Sequence, residues 1–303
     1  MLDVFLTVVL PIFLVAASGA ILQRWRGLSI GPLAPITLYL LSPALIIHIL
    51  TTTELDPAIS LKVVAAGALM TIVGIAVSVP VTKLLRQSRQ LQSGFLLTTA
   101  FPNAGNMGLS ITLLAFGETG LAIAVLVFVT HACLSWSVGL FIAARSTSYG
   151  MGPVTQLLRM PVFYAPIVAI TIRWAGWDLP STLATPIELL GGAAIPSLLL
   201  VLGFQLSRGV DMTQLPSLIA AITIRLLVVA PIMYFITLGI GLDGVAQKVV
   251  VTVAAMPSAV FITLLADEFK AAPQFVTSTV IASTICSLGT LTVLLSILDK
   301  WVS

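Results

Sequence analysis

Two asparagines lie beside a proline and two glycines in the stretch FPNAGNMGL, residues 101–109, within one of the most apolar parts of the chain. Asn103 and Asn106 carry amide groups that both donate and accept hydrogen bonds. Pro102 removes a backbone donor, and Gly105 loosens the backbone, so a helix crossing this region is interrupted. A half-helix that begins at such a break presents unpaired N–H groups and a partial positive charge, which suit carboxylates. The stretch therefore predicts a binding site for a small organic anion.

A second break is predicted at AAMPSAVF, residues 254–261. Pro257 follows Pro102 at an offset of 155 residues, and Ser258 could add a hydroxyl group to the same site. Two interruptions at corresponding positions of related halves are the best sequence indication of a transporter binding site. The alternative is that both prolines only kink a helix and help it to pack.

The elements that position these residues must lie in lipid. The chain of 303 residues is 58% apolar and 8% charged, whereas about a quarter of the residues in a soluble domain are charged. A membrane span needs about 20 mostly apolar residues, and we count ten such stretches. They are residues 2–22, 32–50, 62–84, 91–115, 119–142, 160–175, 183–206, 216–240, 245–266 and 274–298. We therefore predict an all-α integral membrane protein with ten transmembrane helices.

Charge in the short loops predicts the orientation. If the N-terminus is external, nine of the 14 Lys and Arg residues fall in internal loops and four fall in external segments. Because Lys and Arg favour the cytoplasmic side, we expect both termini outside the cytoplasmic (inner) membrane. The basic residues are scattered singly, so no nucleic-acid partner is expected. We expect no metal site and no cofactor.

The two halves of the chain resemble each other. Three prolines of the first half, Pro11, Pro43 and Pro102, have counterparts in the second half at offsets of 153 to 155 residues. Five spans are repeated as five, and because five is odd the second copy enters the membrane from the opposite side. We therefore predict an inverted repeat, as in many secondary transporters. Its parts are a first unit at 1–142, a cytoplasmic linker at 143–159 and a second unit at 160–303.

Three further residues could take part in transport. Arg225 lies inside the predicted eighth span, where an unpaired charge is costly. Its guanidinium either lies against the broken helices, near the anion or where a coupling cation would sit, or it snorkels to the interface. His48 and His131 could relay protons near neutral pH, although a single histidine in a span more often serves packing.

The motifs FPNAGNMGLSITLLAFGE, AAMPSAVFITLLADEF and TSTVIASTICSLGTL resemble those of the auxin efflux carrier family, along essentially the whole chain. That family includes plant auxin carriers and bacterial malate or malonate permeases. The resemblance implies the fold of bile acid:sodium symporters and sodium/proton antiporters, with helices 4 and 9 crossing at Pro102 and Pro257. It implies a scaffold of spans 1, 2, 6 and 7, an elevator-like transport domain of spans 3–5 and 8–10, and a homodimer. Asn103 matches the asparagine after the first crossover proline, whereas Ser258 stands where plant carriers have a second asparagine.

These features favour a carrier of small carboxylates, such as malate, malonate or auxin-like acids. A sodium-coupled symporter of the same fold is the closest alternative, although no buried acids lie near the breaks. A sensor that keeps the carrier fold is a second alternative. An enzyme is not expected, because no nucleophile and base pair, HExxH, GxSxG or P-loop motif is present.

Overall fold

The structure is a computed structural model that describes residues 1–27, 31–146, 161–207 and 209–300. Over these residues the chain is helical and forms no strand beyond one isolated bridge. The predicted all-α membrane class is confirmed for the part of the chain that is described. Of the predicted linker at 143–159, residues 147–159 lie outside the described residues.

Eleven helices make up the described fold. In chain order, α1 to α11 are Leu2–Arg26, Leu33–Thr52, Pro57–Leu84, Arg89–Ala100, Ala104–Ala144, Pro161–Trp174, Ser181–Leu206, Leu215–Gly239, Gly244–Ala254, Ile262–Glu268 and Pro273–Lys300.

Seven of the described helices are long and apolar enough to cross a membrane, namely α1, α2, α3, α5, α7, α8 and α11. This number is three fewer than the ten spans predicted, because two predicted spans are divided and α6, Pro161–Trp174, is shorter than a span over the described residues. The first break, residues 101–103, separates α4 from α5, and the second break, residues 255–261, separates α9 from α10. In addition, α5 has 41 residues, about twice the length of a span, and Gly117 interrupts it with φ 66° and ψ −161°.

Glycines bring α1 and α7 into close contact. A Cβ atom on Gly203 would lie 1.9 Å from the carbonyl oxygen of Ala16, and one on Gly19 would lie 2.8 Å from that of Leu200. Small residues let helix backbones approach closely in lipid, where no hydrophobic effect drives helices together. Helix α2 joins the same group, since Gly191 of α7 lies against the backbone of Leu45.

A second group of helices packs around α3. A Cβ atom on Gly74 would lie 2.7 Å from the carbonyl oxygen of Thr99 at the end of α4. The hydroxyl of Ser78 donates a 2.7 Å hydrogen bond to the hydroxyl of Thr99. On another turn of α3, Gly67 faces the side chain of Thr130 in α5. Helix α4 is thus held firmly up to the first break.

Candidate functional site

The two breaks lie side by side and satisfy each other's backbone. The N–H of Asn103 donates to the carbonyl oxygen of Pro257 at 2.7 Å, and the N–H of Ala259 donates to that of Phe101 at 2.9 Å. Pro102 and Ser258 face each other as an antiparallel bridge. Non-helical backbone at membrane depth is tolerated only where protein or a water-filled cavity satisfies it. Here each break provides hydrogen-bond partners for the other.

The helix ends that precede the breaks meet two polar side chains. The hydroxyl of Ser258 donates a 2.7 Å hydrogen bond to the carbonyl oxygen of Thr98 in α4. Arg225 of α8 donates from Nη1 to the carbonyl oxygen of Thr99 at 2.9 Å, and from Nε to that of Met256 at 3.1 Å. Its Nη2 donates to the carbonyl oxygen of Ala254 at the end of α9. Arg225 is completely buried, so these contacts exclude the snorkelling interpretation.

A cavity opens beside the breaks, where α5 begins. Its volume is about 70 Å³, and it is partly open to solvent. Its lining is polar at one end and apolar elsewhere. The polar lining residues are Asn103, Asn106 and His131, and the apolar ones include Leu38, Phe128, Trp136, Val162, Leu198, Phe261 and Leu264.

Asn103 combines a structural contact with an unused donor. Its side-chain oxygen accepts a 3.1 Å hydrogen bond from the N–H of Asn106 and so caps the start of α5. Its amide nitrogen Nδ2 is buried without a hydrogen-bond partner among the described residues. Because an unsatisfied buried donor is costly, this nitrogen is a candidate hydrogen-bond donor to an acceptor atom of a bound molecule.

His131 of α5 presents a second unpaired nitrogen to the same cavity. Its Nδ1 lies 3.3 Å from the hydroxyl oxygen of Thr71 in α3. Its Nε2 is buried and has no partner among the described residues. Of the residues that line the cavity, His131 and Asn103 are the two with an unpaired buried polar atom.

Asn106 and Gly105 also line the cavity, in the first turn of α5. The Nδ2 of Asn106 donates a 2.8 Å hydrogen bond to the carbonyl oxygen of Leu198 in α7, which connects the two groups of helices. A Cβ atom on Gly105 would lie 3.0 Å from the ring of Phe128, so the absence of a side chain lets this ring pack on the turn.

The remaining predicted site residues lie elsewhere. Pro102 lines the cavity, whereas Pro257, Ser258, Arg225 and the half-buried His48 do not. Ser258 and Arg225 instead bind the carbonyl oxygens behind the breaks. Thr71, Trp136 and Leu198 were not predicted from the sequence. Nothing in the sequence distinguishes these residues from other members of apolar spans.

A second cavity continues from the first. The two share Asn106 and Leu198, and the second extends to Gln205 near the end of α7 and to the exposed Asp267 of α10. Asn106 therefore lines both the first cavity and a second one that reaches the exposed Asp267.

The sequence is similar to known transporter sequences. The profile of a family described as "Membrane transport protein" matches residues 4–152 and 146–295. A "Putative malonate transporter" of Rhizobium meliloti is 23% identical over 302 residues, which cover 95% of this chain and 93% of the relative. An "Uncharacterized transporter" of Methanothermobacter thermautotrophicus is 28% identical over 201 residues, which cover 65% of each chain.

Proposed function

Because the chain belongs to the membrane transport protein family, which is that of the auxin efflux carriers its motifs resemble, we propose that it carries small organic anions across the membrane. One observation supports this proposal above the others. The unpaired Nδ2 of Asn103 and Nε2 of His131 line one cavity at the start of a helix.

A carboxylate fits the polar end of this cavity. The amide of Asn103 offers N–H donors, and the N-terminus of α5 adds a partial positive charge. If the hydroxyl of Thr71 donates to Nδ1 of His131, the ring proton resides on Nε2. A carboxylate oxygen would then accept from both side chains, and such charge-assisted hydrogen bonds are stronger than neutral ones. Gly105 and Asn106 complete the first turn around the anion.

The rest of the lining indicates which anions bind best. The residues beyond the polar end are aliphatic or aromatic, and neither Lys nor Arg is among the residues that line this cavity. A second carboxylate would be placed against apolar side chains at a considerable desolvation cost. We therefore propose acids with one carboxylate and an apolar body as the preferred substrates. Malonate is the second candidate, because a full-length relative has it in its name.

The helix packing supports the implied architecture. We propose that α4 with the first part of α5 forms one broken span, that Gly117 divides α5 into two spans, and that α9 with α10 forms another broken span. Together with the other seven helices these make ten spans, arranged as an inverted repeat of five and five.

An elevator-like movement follows from this arrangement. The group of α1, α2 and α7, with α6, would be the scaffold, and the helices around the breaks would carry the anion. The hydrogen bond from Asn106 to the carbonyl oxygen of Leu198 joins these two bodies and would have to break during transport. As further parts of this proposal, both termini are external, the membrane is the cytoplasmic one, and the carrier is a homodimer.

The test is a ligand screen of the purified protein followed by a transport assay. A ligand that binds the folded state raises the midpoint of thermal unfolding, Tm. We expect phenylacetate and indole-3-acetate to raise Tm more than malonate and malate do. In proteoliposomes, the binding acids should show counterflow of labelled substrate. Binding without flux would favour a sensor, strict dependence of flux on a sodium gradient would favour the symporter, and neither binding nor flux would refute the proposal.

A further inference from the structure

Arg225 has an unusual environment for a buried charge. It is completely buried, and its three hydrogen-bond acceptors, Thr99, Ala254 and Met256, all contribute backbone carbonyl oxygens rather than carboxylates. An ionised group without water or a counter-ion is normally costly in the interior of a protein. The carbonyl groups must therefore supply the stabilisation that a carboxylate would otherwise give.

The positions of these carbonyl groups explain how they do so. Thr99 belongs to the last turn of α4, and Ala254 is the last residue of α9. The C-terminus of a helix carries about half a negative charge, so two such ends together carry about one. The single positive charge of the guanidinium compensates for both. Carbonyl oxygens at the ends of broken helices are also the groups that coordinate coupling cations in transporters.

The shape of the side chain suits this position. A guanidinium presents its N–H donors in a rigid planar fork, whereas an ammonium group is a compact point charge. One fork here reaches three carbonyl oxygens, one at the end of α4 before the first break and two at or after the end of α9 in the second. Arg225 itself lies in a π-helical turn, Ile224–Val228, a local distortion that is frequent at functional sites.

We propose that Arg225 is a built-in cation, which occupies a carbonyl site between two helix ends where a free monovalent cation would otherwise bind. The breaks then stay paired without a bound ion. Removal of the side chain opens a site for a small cation, and guanidinium fits that site best. The consequence for transport, that anion flux needs no sodium, rests on the proposed function; the cation site does not.

The first experiment uses chloride salts and no organic anion. The Tm of purified Arg225→Ala is measured in guanidinium, sodium and choline chloride at about 10 mM, far below the molar range in which guanidinium denatures proteins. We expect the variant to have a lower Tm than the wild type in choline. Guanidinium should restore about 2 °C or more through binding to the folded state. Sodium should have a smaller effect, because it supplies the charge without the hydrogen-bond fork.

Arg173→Ala is the matched control. Arg173 also donates to backbone carbonyl oxygens, those of Leu50 and Thr53, but it is exposed. Water can replace its guanidinium, so added guanidinium should not change the Tm of this variant or of the wild type. An equal response in all three proteins, or a Tm of Arg225→Ala that matches the wild type in choline, would overturn the proposal.

A second pair of variants covers the case in which Arg225→Ala does not fold. Arg225→Lys keeps the charge, and Arg225→Met keeps a long side chain without it. If Arg225 acts as a built-in cation, the Lys variant should have a higher Tm and a higher yield of folded protein than the Met variant. Equal values for Lys and Met would show that Arg225 acts only by filling space.

The outcome is separable from that of the proposed function. If guanidinium rescues Arg225→Ala but no acid binds or is transported, the built-in cation stands and the transport proposal fails. If acids are transported by the wild type but guanidinium has no selective effect on Arg225→Ala, the transport proposal stands and the built-in cation fails.

Discussion

The backbone N–H of Asn103 donates a 2.7 Å hydrogen bond to the carbonyl oxygen of Pro257, so each interrupted helix completes the other. On one side of this contact, Arg225 donates hydrogen bonds to carbonyl oxygens in the last turns of α4 and α9. On the other side, α5 begins at a cavity that contains two unpaired nitrogen atoms. The paired breaks thus adjoin both the buried guanidinium of Arg225 and the cavity lined by Asn103 and His131.

Asn103→Ala should weaken binding of an organic acid and also lower the stability of the protein. The lost donor to a carboxylate is worth about 1.5–3 kcal/mol, or roughly a tenfold to hundredfold increase in Kd. The lost helix cap is worth about 1 kcal/mol. Titration of the best acid from the screen measures the first effect, and Tm measures the second. Asn103→Ser keeps a capping oxygen, so it should recover much of the Tm but not the affinity. Wild-type affinity in the Ser variant would contradict the assigned role of Nδ2.

His131→Phe should weaken acid binding by about tenfold, because the ring loses the Nε2 donor. Thr71→Val should weaken it less, since it removes only the hydroxyl that orients the ring. Equilibrium binding of labelled phenylacetate to the purified proteins measures both effects. His48→Phe is the control, because His48 is half-buried and does not line the cavity. Similar losses in the His48 and His131 variants would argue against a specific contact.

Ser258→Ala should lower Tm without changing acid affinity. The variant leaves the carbonyl oxygen of Thr98 without the 2.7 Å hydrogen bond from the serine hydroxyl. A buried acceptor left unpaired costs about 1–3 kcal/mol. Ser137→Ala is the control, because Ser137 is exposed and bonds within its own helix; its Tm should be nearly that of the wild type. A large change in Kd with an unchanged Tm would restore Ser258 to the binding site.

Gly203→Ala should destabilise the contact between α1 and α7. The new Cβ atom would lie 1.9 Å from the carbonyl oxygen of Ala16, so the helices must separate. Overpacking of this kind costs about 1–3 kcal/mol. Gly192→Ala on the same helix is the control, since nothing lies within 4 Å of the added atom. Alanine favours a helix by about 1 kcal/mol over glycine there, so thermal unfolding should show Tm changes of opposite sign. Equal changes would mean that α1 and α7 do not pack as closely as described.

The candidate site was only partly predictable. Asn103, Gly105 and Asn106 could be found because they follow a proline in an apolar run, a local and unusual pattern. His131 was noticed as an isolated histidine, but its position beside Asn103 depends on how α5 folds back on itself. Ser258 was expected to contact the anion because it follows Pro257. Its hydroxyl instead donates to a carbonyl group of α4, a partner that no local pattern indicates.

The sequence by itself determined that the chain is an all-α membrane protein of this transporter family, and that helices are interrupted near Pro102 and Pro257. A chain this apolar must lie in lipid, and a proline removes a backbone hydrogen bond from any helix that contains it. The membrane class and the helix breaks therefore both follow from local chemistry. Only the tertiary structure decided which groups meet. It placed Arg225 on the carbonyl oxygens of two helix ends and left Nδ2 of Asn103 and Nε2 of His131 without partners around one cavity. Each of these contacts joins residues far apart in the chain, and their geometry depends on the packing of the whole helix bundle.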